Sequence, residues 1–181
     1  MQFLSAEIPG LVIIEPRVYG DDRGYFFESF RTDIFSKEIP GINFIQDNES
    51  LSMFGVLRGL HYQVPPFDQS KLVRVVRGKV LDVAVDIRRK SPYYGKHAVI
   101  ELSGENKRQF FIPRGFAHGF VVLSEEAVFH YKVDNIYSRV HDRGIAYDDP
   151  ALGIDWMLEK SRLVLSDKDT SNPMLKDAEV F

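Results

Sequence analysis

Two histidines stand in segments whose residue types could do chemistry. His61 lies in Arg58-Gly59-Leu60-His61-Tyr62-Gln63, and His118 in Pro113-Arg114-Gly115-Phe116-Ala117-His118-Gly119-Phe120. Imidazole in a pocket either ligates a divalent metal or moves a proton. A metal would want about three or four His, Cys or carboxylate ligands. Gln63, two residues beyond His61, and Lys71 further on are poor ligands, because a carboxamide nitrogen and an ammonium offer an ion no useful lone pair. The expected chemistry is therefore proton transfer. A base for that task needs a pKa near the working pH, which neutral imidazole, at about 6.5, meets better than most side chains.

The elements that must position these groups read as strands. Lys71 to Val76 and Lys79 to Asp86 flank the turn candidate Arg77-Gly78, His97 to Leu102 and Gln109 to Ile112 flank Gly104-Glu105-Asn106, and Gly119 to Leu123 and Val128 to Val133 flank Ser124-Glu125-Glu126. Apolar, β-branched runs broken by such turn residues predict three hairpins. Successive hairpins can close into a barrel or jelly roll, which removes exposed edges and puts a ligand at the mouth. A short helix is expected over Arg31 to Ile39. The tail beyond Pro150 is less regular, with helical pieces around Trp156 to Lys160.

Composition narrows the classes. The chain has 181 residues, 44% hydrophobic and 13% aromatic, enough for one domain across 1–181 with a filled core. There is no cysteine, so disulfides, thiolate nucleophiles and Cys-ligated zinc are excluded. A net charge of -3 argues against a broad nucleic-acid surface, though a few arginines can still hold a small anion. No apolar run approaches the about 20 residues that span a bilayer, and the first residues lack a signal-peptide pattern, so a cytoplasmic place and no membrane partner are expected.

Asp22-Arg23-Gly24 with Phe26 and Glu28, Gln46-Asp47-Asn48, Arg58 to Gln63, Lys71, Pro113 to Phe120 and Leu165-Ser166-Asp167-Lys168-Asp169 occur in order over nearly the whole chain. In these the sequence resembles the dTDP-4-dehydrorhamnose 3,5-epimerases, enzymes with a cupin-type barrel. A metal-binding cupin carries two histidines one residue apart and then a carboxylate; here Gln63 and Lys71 stand at the second and third of those positions. The resemblance implies a mainly β, cupin-type jelly roll with short helices. It also implies epimerisation of a dTDP-linked 4-keto-6-deoxy sugar at C3 and C5 on the route to dTDP-L-rhamnose, no metal or other cofactor, and a homodimer.

It further implies roles. His61 is the base and Asp169 its orienting carboxylate, Lys71 faces the negative charge that develops on the C4 oxygen, and Tyr131 is the acid on the opposite face. Arg23 and Arg58 hold the sugar nucleotide, Phe26, Glu28, Gln46, Asp47, Asn48 and Gln63 surround it, and Tyr137 stacks on thymine. His118 bonds the sugar, and Asp142 and Lys168 also match ligand-contacting positions. His97, His130 and His141 carry no motif and are expected at the surface or in packing. Relatives that epimerise one centre or move the keto group share the barrel, and a non-catalytic sugar-binding barrel is the alternative from another class, since fold does not settle function. Without the resemblance, Asp169 reads as a solvated loop charge.

Overall fold

The computed structural model describes residues 1–181 and is mainly β. Thirteen strands follow in chain order: β1 Gln2–Ser5, β2 Val12–Glu15, β3 Tyr19–Asp21, β4 Gly24–Phe26, β5 Gln46–Met53, β6 Leu57–Gln63, β7 Lys71–Arg77, β8 Lys79–Asp86, β9 His97–Ser103, β10 Gln109–Ile112, β11 Phe116–Val122, β12 Glu126–Val133 and β13 Asp142–Gly144. Two sheets face each other. One has the order β1-β2-β10-β7-β12-β5 and the other β13-β6-β11-β8-β9, while β3 and β4 form a separate ribbon. This is the jelly-roll barrel that the resemblance implies.

The strands lie where the apolar runs predict them, but the pairing differs. The three expected hairpins are absent: β7, β10 and β12 belong to one sheet, and β8, β9 and β11 to the other. Each short turn carries the chain across the barrel instead of back along the same sheet. Gly78 explains one such corner. Its φ of +80° suits glycine, and a Cβ there would lie 2.0 Å from the Glu126 carbonyl oxygen, so the corner folds down onto the start of β12. Long-range antiparallel ladders replace the hairpins, β11 pairing with both β6 and β8, and β12 with both β5 and β7.

Burial follows from this crossing. All seven residues of β11 and seven of the eight of β8 are buried, because one face of their sheet meets the opposing sheet and the other meets the C-terminal tail. Val73, Val75, Phe110, Phe129, Val80, Ala84 and Phe120 fill the space between the sheets. Leu57, Leu81, Val83, Val85 and Val121 point outward against Ile145, Tyr147, Leu152 and Trp156. The expected helix is present as α1, Thr32–Glu38, with Phe35 packed on Ile14, Leu72 and Phe111. Trp156 to Glu159 is not helical. Met157 has φ +59°, outside the helical region, and Trp156 is anchored by its Nε1–H donating to Tyr147 O at 2.9 Å. The tail's helical turns come later, at Lys160–Arg162, α2 Asp167–Thr170 and Leu175–Asp177.

Candidate active site

A cavity of about 460 Å³ opens between the two sheets. Its walls come from different sheets: β6 and β11 supply Arg58, His61 and His118, while β5, β7 and β12 supply Asn48, Lys71 and Tyr131. Lys168 and Asp169 close one side from α2. Phe120 and Phe129, stacked at 4.1 Å, form an apolar part of the lining.

Arg58 and His61 are three residues apart, so strict alternation would send them to opposite faces of β6. A register shift brings both to the cavity: Phe120 pairs with Arg58, but His118 pairs with His61, so β6 has one residue more than β11 across this stretch. Gly59 sits in the extra length with φ +149°, and a Cβ on it would come within 2.6 Å of the Gly119 Cα. The glycine pair lets two backbones touch and re-aims the side chains on either side. Arg58 then reaches across the cavity, its Nε–H donating to Ser52 Oγ at 3.0 Å.

His61 Nε2 lies 2.6 Å from Asp169 Oδ1. The oxygen is close but off the ring's N–H direction, since Nε2 has no aligned hydrogen-bond acceptor. Asp169 is 4% exposed. Ser166 caps α2 by accepting from the Asp169 N–H, and its hydroxyl donates to Asp169 Oδ2 at 2.7 Å. The Gly59 N–H donates to Oδ1 at 3.3 Å. Burial alone would raise the Asp169 carboxyl, but the adjacent His61 ring together with the bonds from Ser166 and Gly59 outweighs it and holds the group below its ordinary value.

Lys71 keeps some solvent exposure as a residue, yet the protein crowds its ammonium. Burial pushes it down to about 8 against the pull of Asp82 and Asp142. Its Nζ donates to His61 O at 3.3 Å. His118 is buried, with Nε2 3.0 Å from both oxygens of Asp82, and burial lowers its pKa more than Asp82 raises it. Burial raises Tyr131, with Arg58 opposing, so its phenol keeps its proton through neutral pH. Sequence reasoning missed Asp82. The signal was present, because a charge in the middle of Val80-Leu81-Asp82-Val83-Ala84-Val85 stands in a strand buried on both faces, where an unpaired carboxylate is not tolerated. It also missed Ser166, although Ser-x-x-Asp at a helix start is a capping pattern.

Half of the sixteen expected site residues line the cavity: Asn48, Arg58, His61, Lys71, His118, Tyr131, Lys168 and Asp169. Gln46 touches it indirectly, donating to Asn48 Oδ1 at 2.8 Å. Asp47 pairs with Lys132 at 2.8 Å. At the rim, Asp142 Oδ2 accepts from the Tyr137 hydroxyl at 3.0 Å and pairs with Lys168 Nζ at 2.5 Å. Arg23 and Phe26 lie on the exposed β3–β4 ribbon, Arg23 paired with Asp21, and Glu28 pairs with Arg31; none of the three lines the cavity. Gln63 is buried and gives both amide hydrogens to backbone carbonyls, of Phe67 at 2.7 Å and Ile136 at 3.1 Å. A divalent ion does not fit this set. Gln63 is spent on the backbone, Lys71 is a cation, each histidine has its own carboxylate, and no three His, Asp or Glu side chains converge as ligands.

A sequence profile of the dTDP-4-dehydrorhamnose 3,5-epimerases matches residues 5–177. The chain belongs to the dTDP-4-dehydrorhamnose 3,5-epimerase family. It is 50% identical over 182 aligned positions to the enzyme of that name from Shigella flexneri, covering 100% of this chain and 99% of that protein. Among solved structures, dTDP-6-deoxy-D-glucose-3,5-epimerase from Legionella pneumophila, in complex with dTDP-4-keto-L-rhamnose, superposes with a TM-score of 0.94 at 48% identity, over 97% of this chain and 93% of that one. ChmJ, a 3'-monoepimerase from Streptomyces bikiniensis in complex with dTDP-quinovose, matches at a TM-score of 0.87 and 32% identity, over 94% and 86% of the two chains. Members of this epimerase family thus share the barrel described here. No helix is long and apolar enough to cross a membrane.

Proposed function

We propose that the chain converts dTDP-4-dehydro-6-deoxy-D-glucose to dTDP-4-dehydro-L-rhamnose, inverting C3 and C5, in dTDP-L-rhamnose biosynthesis. One observation carries the reading beyond kinship: an imidazole backed by a buried carboxylate stands on one sheet, and a protonated phenol on the facing sheet, across a cavity with a cation in its lining. His61 takes the proton from the carbon beside the C4 carbonyl, and the C–H electron pair moves to the C4 oxygen as an enolate. Asp169 orients His61 and stabilises the imidazolium. Lys71 stabilises the enolate. Tyr131 then gives its hydroxyl proton to the carbon from the other side. Solvent resets both groups, so nothing is oxidised or reduced and no cofactor is used.

The test is incubation with the 4-keto-6-deoxyglucose nucleotide in deuterated water with excess EDTA, read by NMR. Deuterium is expected at both C3 and C5 of inverted product. Label at one carbon alone would make the chain a single-centre epimerase, and activity that needs a restored divalent ion would overturn the proton-transfer reading.

Lys71 gives a pH signature. With its ammonium at about 8, kcat/KM should fall as pH rises through that value, because the neutral amine no longer stabilises the enolate. Tyr131, raised above its ordinary value, does not supply this limb. Lys71→Met is expected to lower kcat far more than it changes KM and to remove the limb near pH 8. A raised KM with normal kcat would move Lys71 to substrate binding alone.

The nucleotide end is assigned by similarity to Arg23, Arg58, Phe26, Glu28, Gln46, Asp47, Asn48, Tyr137, Asp142 and Lys168. Three of these, Arg23, Phe26 and Glu28, stand away from the cavity of their own chain. The ribbon that carries the first two also exposes Tyr19 at 53%, Tyr25 at 58% and Phe26 at 66%, an aromatic surface of the kind that partners cover. A cytoplasmic homodimer, each copy extending the β3–β4 ribbon toward the other's cavity, accounts for both facts. Sedimentation should give a dimer at micromolar concentration, and a monomer there would remove this part of the reading.

A further inference from the structure

We propose that Gln63 is a positioning residue, a carboxamide clamp that fixes the backbone of Tyr137 and so sets where the nucleotide's base is held relative to His61. The inference rests on the nucleotide role given to Tyr137 above. Gln63 Nε2 donates to Ile136 O at 3.1 Å and Oε1 accepts from the Ser138 N–H at 2.6 Å, so one side chain bonds the peptide groups on both sides of Tyr137. The second Nε2 hydrogen goes to Phe67 O at 2.7 Å. Only this orientation of the amide satisfies all three partners. Flipped, it would set its NH₂ against an N–H and its oxygen against two carbonyls.

Tyr137 needs such a clamp. It sits in the irregular stretch between β12 and β13 with 58% of its surface exposed, so packing cannot fix it. Neighbouring amides brace the same stretch, Gln69 bonding Asn135 O at 2.7 Å and Asn135 bonding Pro66 O at 3.0 Å. Asp142, which accepts the Tyr137 hydroxyl, is also the cross-strand partner of Gln63. Both ends of the tyrosine are thus referenced to one register position on β6, two residues from His61. A methionine of similar length would keep the volume and lose all three bonds. A glutamate would keep an acceptor and lose the donors.

The experiment measures dTDP binding to the full chain by calorimetry for wild type, Gln63→Met, Tyr137→Ala and the double variant. Each single variant is expected to weaken binding about tenfold, within the range of base–aromatic stacking. The double variant should bind within about twofold of Tyr137→Ala, because residues acting through one contact are not additive. Deuterium exchange by Gln63→Met should lose more in kcat/KM than in kcat, since the clamp acts through how the nucleotide is held and does not touch the proton-transfer groups. Wild-type affinity in Gln63→Met, or losses that multiply in the double variant, would overturn the proposal. If Gln63→Met does not fold, Gln63→Glu decides. Its deficit relative to wild type should be larger at pH 8, where a carboxylate has no hydrogen to give, than at pH 5, where burial against two carbonyl oxygens favours the protonated acid, which gives one, and no deficit at either pH would overturn the clamp. Wild type failing to bind dTDP at all would instead refute the substrate assignment.

Discussion

His61→Asn is expected to abolish both epimerisation and exchange of substrate hydrogens with solvent, while leaving dTDP affinity near wild type. Asparagine retains hydrogen-bonding groups but has no basicity near neutral pH. General acid–base catalysis typically contributes ~10²–10⁴-fold, so turnover should fall by at least that order. Exchange is the more telling readout. It reports proton removal alone, and no other residue in the cavity is so placed to replace His61. His118 is the nearest alternative, since it is the cross-strand partner of His61, but its Nε2 is 3.0 Å from both Asp82 oxygens in a fully buried pair. The variant should fold. Asp169 would keep its bonds from Ser166 and from the Gly59 N–H, so the buried carboxylate is not left bare. Near-normal exchange in His61→Asn, measured by NMR in deuterated water, would mean that the base is elsewhere.

How much of this could be read from residues alone differs by element, for physical reasons. β8 and β11 announce themselves as near-continuous apolar runs, because a strand buried on both faces has no polar side. Their partners do not, since the hairpin rule assumes that a tight turn returns the chain within one sheet. At Gly78 the turn is tight, yet it folds over β12 and delivers β8 to the opposite sheet. Nothing in the local residues separates the two outcomes. Asp169 was legible only through resemblance: its contact with His61 spans most of the chain, and its own neighbours, Asp167 and Lys168, read as solvent-exposed. Asp82 is the opposite case, a buried charge that its apolar surroundings marked. The bulge at Gly59 lies between these. A glycine inside a strand pattern suggests one, but only the register of β11 against β6 reveals that it turns Arg58 and His61 to the same side.

Tyr131→Phe is expected to uncouple exchange from inversion. The substitution keeps the ring that packs 6.2 Å from Phe129 and removes only the hydroxyl. His61 and its carboxylate lie on β6 and α2, untouched, so the enolate should still form. What is lost is the proton donor on the other wall. Tyr131 belongs to the six-stranded sheet and His61 to the five-stranded one, so a sugar ring held between the sheets presents one face to each. Without the phenol, the proton returns mainly from the original face through the imidazolium, which regenerates starting material carrying solvent deuterium. Burial raises the Tyr131 pKa, so in the wild-type enzyme the donor is protonated across the working range and its loss is felt at every pH where His61 is active. Deuterium should therefore enter recovered substrate at a rate near wild type, while inverted product falls by the ~10²–10⁴-fold that a positioned general acid supplies. Equal, wild-type rates of exchange and inversion would reduce Tyr131 to a packing residue and assign the second proton transfer to another donor.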